Sequence, residues 1–337
     1  MLTRRQTLGG AIAAAAILPA RGALAQAKEV TISRQPGILY MPLHVIEKYR
    51  LIEKHAERLG LPGTTTKWLS FANGGAQQDA LVSGGVDLVN TGTGNLLLLW
   101  DRTRGGVKGI VASCALPLRL VSRDPRIQTL KDFGQGDKIA VPTVKVSTQA
   151  ILLQIAASEM FGKDQWAHFD PLTVQMGHPD GYIALKNQSH EVRSHFAAPP
   201  FDFYEMKEVP GAHLIIDSFK IMGGPLSQGQ FFTTTKFADT NPKIVEAVRG
   251  AAEEAKAFIE KDLKASIEAY REINNDKTPT ETLVELLSQP GMQEWSLYPQ
   301  GTMKFAEHLN RIGTLKKMPA SWKDYYLPLA HDMASGS

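Results

Sequence analysis

Short apolar runs alternate with glycine-bearing polar turns and amphipathic stretches through the first two thirds of this 337-residue chain. Residues 29–33 predict a strand, broken by Gln35-Pro36-Gly37, and 41–58 predict a helix stopped by Gly60 and Gly63. A strand over 67–70 leads through Asn73-Gly74-Gly75 into a helix that Gly84-Gly85 closes. A strand over 86–89 then leads through the turn 90–95 into a leucine-rich helix over 96–100. Strand, glycine turn and helix thus recur three times, the pattern of a parallel sheet covered on both faces.

From Lys108 the pattern changes. Two extended runs, 109–114 and 118–121, flank Ala115-Leu116-Pro117, and a short helix over 129–133 precedes a strand at 138–141. A second α/β series follows: helix 148–161, strand 172–174, helix 179–187, strand 191–196, helix 200–206 and strand 214–216. Gly223-Gly224-Pro225 interrupts it, 230–234 is extended, and almost everything after Asn241 is helical in pattern. Helix 242–262 puts Ile244, Val245, Val248, Ala252, Ala255 and Ile259 on one stripe, which needs a sheet or helix to cover it. The tail is therefore expected to return to the first block. Two crossings between lobes leave a cleft with a hinge, a common place for a small-molecule site. The expected lobes are 28–115 with 225–337, and 116–224.

A composition of 43% hydrophobic and 21% charged residues fits a soluble globular protein. The net charge of +3 comes entirely from Arg4, Arg5 and Arg21, because the first 27 residues hold no acid. The remainder is neutral, so nothing argues for nucleic acid or an anionic membrane as partner. Residues 1–27 predict a processed export signal. Thr3-Arg4-Arg5-Gln6-Thr7-Leu8 resembles a twin-arginine signal, and the apolar run after it is shorter than the roughly 20 residues that span a bilayer. Cleavage after Ala25 or Ala27 would leave a soluble periplasmic protein with no stable membrane insertion. Cys114 is the single cysteine; it permits no intramolecular disulfide and reads as a buried packing residue.

Three junctions carry the candidate chemistry: Asn73 to Gln77, Thr91 to Asn95, and Thr143 to Gln149, each between a strand and a helix. In open parallel sheets such strand ends line one crevice. Unpaired N–H groups, the positive end of the helix dipole and neighbouring hydroxyls suit an anion or polar oxygen. Ser147 or Thr148 also reads as a plain helix cap. The full dinucleotide fingerprint, the phosphate-loop lysine motif, HExxH and GxSxG are all absent, so no cofactor or metal is expected. Leu116, Phe196, Phe201 and Phe231 stand at strand ends or crossings, where each is either core or a contact for an apolar or aromatic ligand body.

Together these segments resemble periplasmic solute-binding proteins of the nitrate, sulfonate and taurine transporter class. They are Gln35-Pro36-Gly37, Phe71 to Leu81 with Gly84-Gly85-Val86-Asp87, the Thr91 turn, Leu130 to Phe133, Lys138 to Pro142, and Ser147 to Ala150. The resemblance spans about residues 29–320. It implies the type II periplasmic binding protein fold: two parallel-sheet α/β lobes on a two-crossing hinge, with a helical C-terminal tail. It also implies a monomer that delivers a small molecule to the permease of an ABC importer. Gln35, Ala76, Thr91, Gly92, Thr93, Thr143, Ser147 and Thr148 match the family's ligand positions. Val146, with Val144, stands where sulfonate binders tend to have glycine and serine, which tilts away from taurine and nitrate. The alternative is an enzyme on the same fold, a pyrimidine synthase or desulfinase, with Cys114 and a histidine as nucleophile and base.

Overall fold

The computed structural model describes residues 27–333, so the expected export signal lies outside the described residues but for Ala27. Among the described residues ten strands form two five-stranded sheets. The first holds β1 (Glu29–Arg34), β2 (Thr65–Ser70), β3 (Leu88–Thr91), β4 (Val107–Cys114) and the late strand β10 (Gly229–Thr234), in the order β2-β1-β3-β10-β4. The second holds β5 (Arg119–Ser122), β6 (Ile139–Val141), β7 (Thr173–Gln175), β8 (Ser194–Ala197) and β9 (His213–Asp217), in the order β7-β6-β8-β5-β9.

The sheets are mixed rather than wholly parallel. β1 pairs in parallel with β2 and β3, and β6 with β7 and β8. β10 runs antiparallel to β3 and β4, and β5 antiparallel to β8 and β9. The reversed strand is in each case the first one after a crossing. A chain that leaves β4 at the cleft end must enter the other lobe from its cleft side, so β5 runs away from the cleft while its neighbours run toward it. β10 repeats this on the return.

Local sequence accounts for most of the elements. Helix Thr148–Phe161 starts one residue after its Ser147 cap, whose Oγ accepts from the Ala150 N–H at 3.3 Å. The expected single helix over 41–58 is two, Met41–Tyr49 and Leu51–Arg58, because Arg50 is left-handed at φ 53°. Both halves pack on helix Pro242–Lys261, but the first also packs on helix Leu263–Asn274. Helix Thr93–Arg102 begins three residues earlier than expected.

Ile244, Val245, Val248, Ala252, Ala255 and Ile259 are all buried, as their stripe requires. They cover the first lobe, where the chain end also returns: the Leu327 N–H donates to the Gly109 carbonyl at 2.8 Å. A Cβ on Gly109 would sit 2.8 Å from the Tyr326 ring, so this return needs glycine there. The tail touches the second lobe as well. Arg119 donates to Gln289 at 2.8 Å, Tyr204 shares a hydrogen bond with Thr278 at 2.8 Å, and Lys304 donates to the Met222 carbonyl at 3.0 Å. Among the described residues no helix is long and apolar enough to cross a membrane.

Candidate functional site

The ends of the parallel strands bring all three junctions to one interface. The glycines there serve the opposing lobe as much as any ligand. A Cβ on Gly92 would lie 2.4 Å from Thr148 Oγ1, one on Gly94 2.8 Å from the Val146 carbonyl oxygen, and one on Gly75 3.1 Å from Thr143 Oγ1. The Ile38 N–H donates to the Pro199 carbonyl across the same gap at 3.0 Å.

Between the walls lies a cavity of about 30 Å³, room for a water or two. Gln35, Thr91, Gly92, Thr143, Ser147 and Thr148 line it, six of the residues expected from sequence. Tyr40, Asn95, Gln149, His178 and Gln228 line it too and were not expected. His178 reads from sequence only as the start of a helix, which it is; the same position places its ring at the cavity wall. Asn95 and Gln149 were within reach, since they close two of the quoted junctions. Gln228 lies in the second crossing, where no motif marks it.

The other expected residues are placed elsewhere. Leu116, Phe196 and Phe231 are fully buried in the hydrophobic core. Leu118, Ala198 and Gln228, two or three residues away along the chain, take the cavity positions instead. Phe201 stands behind the wall, stacked on His178 at 5.9 Å between centroids. The Ala76 N–H is held by its helix cap, Asn73 Oδ1, at 3.0 Å. Thr93 Oγ1 donates to the Ser227 carbonyl at 2.5 Å and accepts from Gln230, tying the second crossing to the first lobe. Val146 turns its carbonyl toward Gly94, and its N–H bonds back to the Thr143 carbonyl at 3.5 Å.

The side chains of the first-lobe wall form a connected network. Gln35 Nε2 donates to Tyr40 Oη at 2.5 Å and Thr91 Oγ1 at 3.2 Å, Asn95 Nδ2 donates to Thr91 Oγ1 at 2.8 Å, and Gln78 Nε2 donates to the Asn95 carbonyl at 2.8 Å. Three polar atoms remain without a partner around the cavity: Asn95 Oδ1, Thr143 Oγ1 and Gln228 Nε2. Orphaned buried polar atoms are costly, and a ligand that meets them recovers that cost. Among the described residues no Asp, Glu, Lys or Arg lines the cavity; the His178 imidazole and the Tyr40 phenol are its ionisable wall groups.

Behind His178 the second lobe holds a buried chain. His178 Nδ1 lies 3.0 Å from His195 Nε2, and His195 Nδ1 lies 2.5 Å from Glu205 Oε1. Burial drives His178 well below the ordinary imidazole range and His195 down to about 3, and drives Glu205 well above the usual carboxylate range. Burial also pushes the Cys114 thiol up to about 12. It therefore carries no thiolate at neutral pH and packs at the end of β4.

No family model matches the chain, and no curated protein matches its sequence. Solved structures do match its shape. The alkanesulfonate-binding protein SsuA from Xanthomonas axonopodis pv. citri, bound to MOPS, superposes with a TM-score of 0.68 at 18% identity, over 87% of this chain and 96% of that one. A Candida albicans gene product described as having the generic periplasmic binding protein fold gives 0.63 at 12%, over 90% and 99%. The chain has the periplasmic binding protein fold. The periplasmic nitrate-binding protein NrtA from Synechocystis PCC 6803 shares this fold with it at a TM-score of 0.66 and 16% identity, over 88% of this chain and 84% of that one. At these identities the likeness concerns the fold. In this periplasmic binding protein fold the cavity described above lies between the lobes, at the strand ends.

Proposed function

We propose that this protein is the solute-binding component of an ABC importer. It captures a small molecule between its lobes in the periplasm and delivers it to a membrane permease, as a monomer and without catalysis. The observation that carries the reading is the inter-lobe cavity, with orphaned Asn95, Thr143 and Gln228 atoms drawn from both lobes and the hinge. The lobes, 28–115 with 225–337 and 116–224, part and close about the two crossings, and parting admits a solute larger than the closed cavity. Gln35, Thr91, Gly92, Thr143, Ser147 and Thr148 contact it, with Gln149, His178 and Gln228. This lining is mostly amide, hydroxyl and imidazole, so the contacted end of the ligand is polar; the aromatic anchors expected from Phe196 and Phe231 are in the core.

A thermal-shift panel of carboxylates, sulfonates, nitrate and pyrimidines tests the reading. A true ligand raises the melting temperature with concentration as mass action requires. No shift from any class would count against solute binding. Export by the twin-arginine route belongs to the same reading, supported by Arg4 and Arg5 ahead of a short apolar run. The double variant Arg4→Lys, Arg5→Lys should stay out of the periplasmic fraction; undiminished periplasmic protein would reject the route.

A further inference from the structure

The chain Gln149–His178–His195–Glu205 runs from the cavity wall to a fully buried carboxylate, and its hydrogen bonds can point in either of two directions. Gln149 Nε2 lies 3.2 Å from His178 Nε2, which completes the connected path. Suppose first that Glu205 is ionised. Its oxygen accepts from His195 Nδ1–H, His195 Nε2 accepts from His178 Nδ1–H, and His178 Nε2 accepts from the Gln149 amide N–H. Now add one proton to Glu205. Its O–H donates to His195 Nδ1, His195 Nε2–H donates to His178 Nδ1, and His178 Nε2–H donates outward. Gln149 answers by turning its amide over, so that its oxygen accepts and its NH2 group is freed toward the cavity. Each imidazole carries one proton in both arrangements, and the charge differs only at Glu205.

We propose that Glu205, through His195 and His178, sets the hydrogen-bonding polarity of the cavity wall, and that its protonated form selects a ligand presenting an anionic oxygen. This deepens the solute-binding reading and rests on it. The surroundings favour the protonated arrangement. Glu205 Oε2 has no partner, and burial holds the carboxyl well above its usual range while both imidazoles are held below theirs.

The charged neighbours are few. Asp202, one turn earlier on helix Phe201–Glu208, pairs with Arg119 of β5 at 3.3 Å; burial raises its carboxyl to about 6, so above that pH it is ionised and matches the cation. β6 brings Ala140, and β5 Val121, alongside His195. Helix His178–Lys186 covers the His195 ring with Gly181, where a Cβ would lie 2.6 Å from it, and helix Thr148–Phe161 contributes the neutral Gln149. An ionised Glu205 would add an unmatched negative charge behind an anion; a protonated one adds none and turns donors forward.

The isosteric Glu205→Gln variant decides the matter, because its amide donates to His195 at every pH and so fixes the protonated arrangement. In the ligand-free full chain, nitrogen-15 NMR of the histidines near pH 6 should place the His195 and His178 protons on Nε2 in both proteins. Raising the pH to about 9 should reverse both tautomers together in the wild type and neither in the variant. No reversal, or the same reversal in the variant, overturns the proposal. Thermal shift with nitrate, methanesulfonate and benzoate then reads the ligand class. At least one should bind the wild type near pH 6, weaken about tenfold per pH unit above the Glu205 titration, and keep its affinity in Glu205→Gln. Equal affinity at both pH values in the wild type overturns the proposal. So does binding of neutral solutes alone, which would leave the solute-binding reading standing. Should Glu205→Gln fail to fold, Glu205→Leu removes the titrating carboxyl and fills its buried place with an apolar side chain, and should abolish both the tautomer reversal and the pH dependence of binding; persistence of either in that variant would overturn the proposal equally.

Discussion

The two walls of the cleft solve different problems. On the first lobe, Gln35, Tyr40, Thr91, Asn95 and Gln78 bond to one another. On the second, Gln149 and His178 bond backward, into the lobe, toward a buried carboxylate. A wall whose polar groups bond mainly to one another, with Asn95 Oδ1 left over for a ligand, holds its shape with or without one, whereas a wall connected to a titratable group can change what it offers. The difference teaches that geometry on one side and protonation on the other can divide the work of recognition.

Closure is the quickest way to break the comparison, because both walls act only when they meet. Gly94→Ala puts a methyl group against the Val146 carbonyl and the Ile151 side chain, at 2.8 and 2.7 Å. Overpacking of this kind costs about 1–3 kcal/mol, so affinity for the solute should fall roughly 5- to 150-fold. The melting temperature of the unliganded protein should hold or rise, since alanine is the better helix former. Titration calorimetry beside a thermal melt checks both.

Ser147 and Thr148 sharpen the comparison inside the second wall. Ser147 Oγ is committed to its helix cap, which leaves the residue's main chain to contact the solute, so Ser147→Ala should cost about 0.5–2 kcal/mol of stability and leave affinity nearly unchanged. Thr148 makes no cap and faces Gly92 across the cleft. Thr148→Ala should therefore weaken binding by about 1–2 kcal/mol with little change in the melt. Calorimetry and denaturant titration of both variants separate the two roles, and an affinity loss in Ser147→Ala alone would reverse the assignment.

Acid tests whether titratable burial is special to the second wall. Burial holds His44 of the first lobe and His195 of the second at about 3, and His308 of the tail at about 4. The native state therefore binds fewer protons than the unfolded chain between those values and about 6.5. The stability these groups contribute is present above about 6.5 and is lost as the pH falls, by up to about 1.4 kcal/mol per pH unit for each. Asp202, raised to about 6 by burial, has the opposite sign: its contribution is present below about 4 and is lost as the pH rises through about 6. His44→Gln should flatten the acid limb of the stability profile by about one histidine's share without altering binding. An unchanged slope would contradict the burial argument.

The smallest effect is expected at Cys114, which lies outside both walls. Cys114→Ser should cost about 1 kcal/mol through a poorly matched buried hydroxyl and leave affinity intact. The wild-type thiol should resist alkylation until the protein unfolds; rapid labelling of the native protein would contradict its place in the core.

What the sequence makes legible follows from how local the cause is. The helix after Ser147 is readable at both ends because its cap and the apolar run behind it are adjacent in the chain. The stripe from Ile244 to Ile259 likewise tells which face of its helix is covered. The break at Arg50 is hidden, since arginine is a good helix former and the left-handed turn redirects the chain between a first half that packs on both Leu263–Asn274 and Pro242–Lys261 and a second that packs on Pro242–Lys261. The reversed directions of β5 and β10 depend on where the chain re-enters each lobe, which no window of sequence contains.

Phe196 and Phe231 illustrate the same limit at the site. A strand-end aromatic can be placed along the chain, but the layer it faces is set by the opposite sheet face and its helices. The His178–His195–Glu205 chain joins residues of two helices and a strand that only the tertiary structure aligns, so along the chain His195 and Glu205 are simply members of an expected strand and an expected helix.

Native mass spectrometry of the chain purified without denaturation tests the central claim most directly, that a small solute is held between two lobes which must meet. The wild type should carry one additional small mass that is lost on partial unfolding, and Gly94→Ala, purified in parallel, should carry little or none of it. Equal occupancy in the two proteins, or no added mass on the wild type, would contradict the account.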